Sequence, residues 1–242
     1  MQLSIIIPAY NEEDRIVRTL QKTLNYLNRQ DYSSEVIVIS DGSSDQTGSV
    51  VENNFVNFTT PGQVKLKMLE YHPNRGKGYA VRYGMLRSQG KHVLFMDADY
   101  ATPIEEVEKG LRLLEDGYDV AIGSRGLAAS EVTHRQRFSR ALAAKMYTFV
   151  QNTYLGFQYK DTQCGFKLFK HSVALHLFTL QQLDSVIFDP EILWLAGRHG
   201  YKVTEFPVRW KHDENTRIQY DTFAKSLFVF QELFKIKQLH RN

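Results

Sequence analysis

The sequence predicts an α/β fold, a mostly parallel sheet covered by helices on both faces. Two observations predict the sheet. Short apolar, β-branched runs alternate with helical patterns over the first half of the chain, and such spacing implies crossover connections between parallel strands. Polar and acidic residues stand just after those runs, at the carboxyl ends where open α/β sheets bind ligands.

Taken in order, "LSIIIPAY" (3–10) reads as a buried strand stopped by Pro8. "NEEDRIVRTLQKTLNYLNRQ" (11–30) is a helix, with Asn11 as its predicted N-cap and Ile16, Leu20, Leu24 and Leu27 at helical spacing. "EVIVIS" (35–40) is a second buried strand, and "DGSSDQT" (41–47) a turn that starts another helix. "VKLKMLEY" (64–71) alternates as a strand does, and "NRGKGYAVRYGMLRSQG" (74–90) is a Gly-broken loop leading into a helix. "KHVLFMDAD" (91–99) is a strand, "IEEVEKGLRLLEDG" (104–117) a helix, and "YDVAIGSR" (118–125) a strand again. Beyond residue 126 the pattern changes. A helix over 139–157 is followed by a polar loop that runs into a strand over 158–170, then a helix and a strand over 188–210, and a terminal aromatic-rich helix over 221–242.

With 242 residues there is room for one large α/β domain and a sizeable core. A net charge of +3 gives no footprint for nucleic acid. Cys164 is the only cysteine, so no disulfide forms within the chain, which suits a reducing compartment. The opening "MQLSIIIPAY" lacks the regions of a signal peptide, and no uncharged apolar run is long enough to span a bilayer. The expectation is a protein of the cytosol or of a cytosolic membrane face.

The stretch "LFMDADYATPIEE" (94–106) ends an apolar strand in Asp97 and Asp99, with Ala98 between them. Two like charges this close repel unless a cation sits between them or one takes a proton. Mg²⁺ or a similar hard ion takes oxygen ligands and shares them with substrate phosphates. A solvated acidic turn is the alternative. The position of these acids at a strand end, together with Tyr10, Glu12, Asp41 and Arg125 at other strand ends, favours the metal.

"SIIIPAYNEE", "VIVISDGSSDQT", "NRGKGYAVRYG", "MDADYATP" and "GSR" stand here in the order found in family 2 glycosyltransferases of the GT-A type. "KDTQCGFKLF" and "FDPEILWLA" resemble the dolichyl-phosphate β-glucosyltransferase branch, whose near relatives are the dolichyl-phosphate mannose synthases. The resemblance covers about residues 3 to 220. It implies a Rossmann-like GT-A catalytic domain over 1–220 and inverting transfer of a hexose from a nucleotide diphosphate sugar to a polyprenyl phosphate.

The site residues follow from that match. Asp97 and Asp99 hold Mg²⁺ or Mn²⁺ on the donor diphosphate, Asp99 being the more direct ligand. Asp41 and the backbone near Ile39 hold base and ribose, with Pro8, Tyr10 and Glu12 lining the same slot and Ala98 beside the donor. Ser40 replaces the first Asp of the usual D-D-G-S, and Ala101 stands where mannose synthases often carry a third polar ligand. Lys77, in the "RGKG" loop, neutralises diphosphate, and the flanking glycines allow close backbone approach. Asp161 is placed at the reacting centre, either orienting a substrate, accepting a proton or capping its own loop.

A lipid phosphate is largely dianionic at neutral pH, its second pKa lying near 6. It needs a cationic clamp more than a general base, and Arg supplies the best fork. Arg125, Arg137, Arg140 and Arg217 are the candidates, Arg125 also counting among the catalytic residues. UDP-glucose is favoured over GDP-mannose as donor, on the resemblance of "DADYAT" and "DTQCGFKLF". A polysaccharide hydroxyl as acceptor would call for an acid serving as base. A sugar-1-phosphate nucleotidyltransferase would open on G-x-G-T-R-L, where this chain has "PAYNEE". A partner-binding protein on this fold would have no use for Asp41, Asp97, Asp99 and Arg125 together.

The tail "DTFAKSLFVFQELFKIKQLHRN" places Phe223, Leu227, Phe230 and Phe234 on one helical face, with Lys225, Lys235, Lys237 and Arg241 beside it. A terminal helix packed on the core is the alternative; since a polyprenyl acceptor stays in the bilayer, the expectation is an amphipathic helix over 221–242 that lies in a membrane surface and holds the protein there.

Overall fold

The first strand, β1 (Leu3–Ala9), sits near the middle of the sheet because nearly every side chain in it is buried. A computed structural model describes residues 1–54, 63–133, 138–211 and 223–241, without the side chains of 138–145 and 223–226. After β1 come α1 (Glu13–Leu27), β2 (Ser34–Asp41), α2 (Thr47–Asn53), β3 (Val64–Tyr71), α3 (Lys77–Met85) and β4 (His92–Met96). A 3₁₀ turn (Ile104–Glu106) leads into α4 (Val107–Glu115), and β5 (Val120–Ser124) and β6 (Glu131–Thr133) follow. The second half contains α5 (Phe138–Leu155), β7 (Phe166–Lys170), α6 (His171–Leu180), α7 (Phe188–Arg198), β8 (Val203–Pro207), β9 (Arg209–Lys211) and α8 (Phe223–Leu239).

The seven-stranded sheet runs β3-β2-β1-β4-β7-β5-β8, and β6 pairs with β9 in a small separate ribbon. All neighbours in the large sheet are parallel except β7, which runs antiparallel to both β4 and β5. Side chains alternate across the sheet. Leu3, Ile5, Ile7, Val36, Val38, Leu94 and Leu168 face α1 and α4 in one core. Ile6, Ile37, Ile39, Val93, Phe95 and Phe169 face α3, α6 and α7 in the other. Each such aliphatic side chain contributes roughly 1.5–3 kcal/mol on burial, and helices on both faces are what the continuous apolar runs require. The α/β reading is confirmed in architecture.

Details at the termini differ from expectation. Asn11 is not the cap of α1: it takes a left-handed backbone at φ 55°, and Glu12 occupies the N-cap position. The Asn11 amide oxygen instead accepts from Ser44 N–H at 2.8 Å, and Glu12 N–H donates to Thr47 Oγ1 at 2.8 Å. The turns after β1 and β2 are thus tied together, a long-range use that local helix signals do not reveal. The helix α6 follows β7 without a break and was not anticipated by the sequence patterning.

A third cluster joins α5, α7 and α8 through Tyr147, Leu155, Leu183, Ile187, Val229, Leu233 and Ile236. The predicted apolar stripe on the tail helix needs correction. Phe230 is half-buried against this cluster, Leu227 and Phe234 are exposed, and the buried positions are Val229, Leu233 and Ile236. Apolar residues therefore lie on two sides of α8, so packing on the core and an exposed face coexist. Phe223 and Lys225 lie outside the described side chains.

Candidate active site

The carboxyl ends of β2, β4 and β5 carry Asp41, Asp97 with Asp99, and Arg125. Because β7 is antiparallel, the loop that precedes it opens on the same edge, and Met96 at the end of β4 pairs with Phe166 at the start of β7. The loop carrying Asp161 is thereby delivered beside the acidic pair.

Asp97 N–H donates to Gly165 O at 3.0 Å, and its carboxylate lies directly over Gly165. A Cβ on residue 165 would sit 2.0 Å from Asp97 Oδ2, so only glycine leaves that carboxylate its place. Lys77 Nζ, at the start of α3, is 2.7 Å from Asp97 Oδ1. Burial acts to lower the lysine, but Asp97 and then Asp189 more than offset it and its pKa is raised. Asp99 accepts a hydrogen bond from Ala101 N–H at 2.9 Å, and Tyr100 between them is held at φ 57°. A left-handed backbone at a bulky residue stores about 1–2 kcal/mol, the kind of strain found at working sites.

Burial first, and the neighbouring Asp97 charge second, push the Asp99 carboxyl above its ordinary value. Two hard oxygen donors side by side suit a hard divalent ion such as Mg²⁺ or Mn²⁺, which Asp97 and Asp99 would hold. Among the described residues no third His, Cys, Asp or Glu joins them in a ligand cluster. Ala101, 9% exposed, offers no side-chain donor.

Asp41 performs a structural task. Its carboxylate accepts from Arg75 N–H at 2.7 Å, Gly76 N–H at 3.0 Å and Asn74 Nδ2 at 3.0 Å. It fastens the loop bearing Lys77 to the end of β2, in place of an Asx-turn before Gly42. The glycines of that loop do allow close approach, but the neighbour is the chain itself. A Cβ at Gly76 would lie 2.5 Å from Asp184 O, and one at Gly78 2.6 Å from Leu183 O.

Of the residues expected to line the nucleotide slot, Tyr10 is exposed. Glu12 binds Arg15 through hydrogen bonds of 2.7 and 2.6 Å. Pro8 is half-buried, the Ile39 side chain is in the core, and Ala98 O accepts from Thr19 Oγ1 at 2.6 Å.

Asp161 and Arg125 face each other. Arg125 Nε and Nη2 donate to Asp161 Oδ2 and Oδ1 at 2.6 and 2.9 Å, and the Arg125 amide adds a third bond at 3.0 Å. Gln163 N–H donates to Asp161 Oδ1 at 3.1 Å. Burial alone would raise Asp161, but Arg125 outweighs it and holds the carboxyl below the ordinary range. The guanidinium also lies 5.3 Å from the centre of the Trp210 ring. Of Asp161's three anticipated roles these bonds describe loop capping, and they add one that was not anticipated, the orientation of Arg125. Burial pushes the nearby Cys164 thiol up to about 12, which leaves it inert. Arg137 and Arg217 lie outside the described residues, and Arg140, on α5, lies outside the described side chains.

Sequence reasoning overlooked Lys167 and Asp189. They are almost wholly buried, with Lys167 Nζ 2.6 Å from Asp189 Oδ1. The signal available was a lysine inside the apolar run "GFKLF".

The paired carboxylates stand at the end of a central strand with a cation-bearing loop beside them, and the fold is the GT-A fold of glycosyltransferases. Residues 4–178 match the family described as glycosyl transferase family 2. The chain is 36% identical to the dolichyl-phosphate β-glucosyltransferase of Drosophila melanogaster, across 98% of this chain and 74% of that protein. It is 33% identical to the Homo sapiens protein of the same name, across 90% of this chain and 69% of the other. The chain belongs to glycosyltransferase family 2. Among solved structures it is similar to glucosyl-3-phosphoglycerate synthase from Mycobacterium tuberculosis in complex with Mn²⁺ and UDP-glucose. There the TM-score is 0.67 at 16% identity, covering 98% of this chain and 78% of that one.

Proposed function

We propose that this glycosyltransferase moves glucose from UDP-glucose to a polyprenyl phosphate of the dolichyl type, with inversion and with a divalent cation. The observation that carries the reading is the pair Asp97 and Asp99 at the end of β4, with Asp99 pushed up by burial and by its neighbour, in a chain whose relatives bear the name dolichyl-phosphate β-glucosyltransferase. Mg²⁺ or Mn²⁺ held there supplies Lewis-acid stabilisation of the charge on the leaving diphosphate.

The chain's own residues do the rest. Asp97 and Asp99 hold the ion, and Lys77 adds a fixed positive charge beside them. Asp41 positions the loop that carries Lys77. Pro8, Tyr10, Glu12, the Ile39 backbone and Ala98 line the donor slot. Arg125, kept in one orientation by Asp161, faces the acceptor phosphate, with Arg137, Arg140 and Arg217 as further members of the clamp. An Asp161 carboxylate stabilised by a bidentate arginine is a weak base. That supports an already ionised phosphate as nucleophile over a polysaccharide hydroxyl, which would need its proton removed.

Protein incubated with dolichyl phosphate and each of UDP-glucose and GDP-mannose tests the reading. Glucosyl transfer that stops in EDTA is expected, together with loss of at least a hundredfold in kcat for Asp99→Ala, the scale of removing a principal electrostatic group. Full activity of Asp99→Ala in EDTA would sink the metal assignment, and exclusive use of GDP-mannose the donor.

The site also has to meet a lipid. No helix among the described residues is long and apolar enough to cross a membrane. We place the membrane contact on α5 and α8, where Met146, Phe149, Leu227, Phe228 and Phe234 are exposed, and Phe149 is 72% exposed. The nucleotide-sugar donor of this reading supports the cytosolic face.

A further inference from the structure

Glu205 stands on β8 where the strand pattern calls for an apolar residue. Side chains alternate along the strand: Phe206 goes to the core under α1 and α4, and Val203 to the core under α3, α6 and α7. Glu205 pairs with Ile122 of β5, which is fully buried in that second core. The half-buried glutamate instead spends its carboxylate on the loop ahead of β7. Its Oε1 accepts from Lys160 N–H at 3.1 Å and from Asp161 N–H at 3.0 Å, and its Oε2 accepts from Lys160 N–H at 3.0 Å.

Hydrogen bonds to an ionised acceptor are roughly twice as strong as neutral ones. Two consecutive amides on one carboxylate therefore fix that stretch of backbone firmly. The flanks are held from α5: Asn152 Nδ2 donates to Tyr159 O at 2.7 Å, and Thr162 Oγ1 to Gln151 Oε1 at 2.9 Å. The end of β5 lies close on the same residues, since a Cβ at Gly126 would stand 2.9 Å from Lys160 Cβ and 3.0 Å from Lys160 O. What Glu205 fixes is thus the backbone of Asp161, whose carboxylate takes the Arg125 fork at 2.6 and 2.9 Å. Because that fork is planar and bidentate, a displaced Asp161 either carries the guanidinium with it or breaks one of the two bonds.

We propose that Glu205 is a positioning residue for the acceptor clamp. It sets the Asp161 backbone and, through Asp161, the place at which the Arg125 guanidinium meets the acceptor phosphate. The inference rests on the acceptor reading above. Alanine at 205 leaves both amides without this acceptor. Glutamine keeps one oxygen in the place of Oε1, which serves both amides, and loses only the bond to Oε2. Removing a negative charge near an anion site would tighten anion binding by Coulomb attraction alone, whereas loss of positioning weakens it. The sign of the change separates the two. A merely structural Glu205 would lower the melting temperature and leave the acceptor affinity of the folded protein as it is.

The experiment measures by calorimetry the Kd of a short, water-soluble isoprenyl phosphate and, separately, that of UDP with Mn²⁺, with thermal melting alongside. For Glu205→Ala the isoprenyl phosphate Kd is expected to rise about tenfold, the scale of one hydrogen bond to a charged group, while the UDP Kd stays unchanged. For Glu205→Gln a smaller rise of about threefold is expected, since one acceptor oxygen is kept. Should Glu205→Ala fail to fold, Glu205→Gln decides. An isoprenyl phosphate Kd that is unchanged or falls in the folded variants, or an equal weakening of UDP, overturns the positioning role and leaves the acceptor reading standing. Absence of isoprenyl phosphate binding by the wild-type protein would instead remove the acceptor reading, and this role with it.

Discussion

Asp161 shows how far a single side chain can be read. Its carboxylate takes three bonds from Arg125 and one from Gln163 N–H, so its proton affinity is lowered in the folded protein. A group with a lowered folded-state pKa contributes stability above its unfolded value, near 3.9, and loses it as pH falls through the folded value. Asp161→Asn should therefore cost about 2 kcal/mol at neutral pH, the scale of hydrogen bonds to charged groups. The gap between variant and wild type should narrow below about pH 4. Urea unfolding at pH 7 and pH 3 checks this, and a gap that widens in acid would contradict it. The sequence marked Asp97, Asp99 and Arg125 because each follows an apolar run at a strand end, and Asp161 by its place in the motif "KDTQCGFKLF". It did not mark Asp189, whose place in "FDPE" reads as an ordinary acid in a first helical turn, nor the pairing of Asp161 with Arg125. Those contacts join segments far apart in the chain, and local pattern carries no record of them.

At the scale of elements, strands and amphipathic helices were legible because burial on both faces leaves an unmistakable apolar run. The tail helix was only half legible. Its lysines read as a basic edge, but Lys235 is paired with Glu232 at 2.7 Å and Lys237 stands 4.8 Å over the Tyr154 ring. Apolar insertion should dominate membrane contact, and salt should weaken it little. Ending the chain at Tyr220 would be a poor test, since Leu233 and Ile236 are fully buried. Phe149→Ser combined with Phe228→Ser leaves that core untouched. The pair should lower the partition onto anionic liposomes at least tenfold, each exposed aromatic contributing on the order of 1–2 kcal/mol when buried, with Tm nearly constant. Equal sedimentation of variant and wild type would move the contact elsewhere.

At the scale of the whole molecule, the alternation of strand and helix forecast the parallel sheet and its ligand-binding edge. It forecast a strand at β7 but not its direction, because a strand entering in reverse has the same apolar pattern as one entering forwards. Yet β7 lies between β4 and β5, both made earlier in the chain. During synthesis, then, two strands wait with open backbone edges for a third that the ribosome has yet to deliver. Such edges are templates for mispairing, and a nascent chain that stalls before residue 166 would expose them to other nascent chains. Ribosome-arrested chains should gain protease resistance in β4 and β5 only after β7 has left the exit tunnel. Resistance in a chain arrested with residue 155 just emerged would show that the gap closes without it. The same wedge that brings Asp161 to the acidic pair thus makes its late arrival the step on which safe biosynthesis depends.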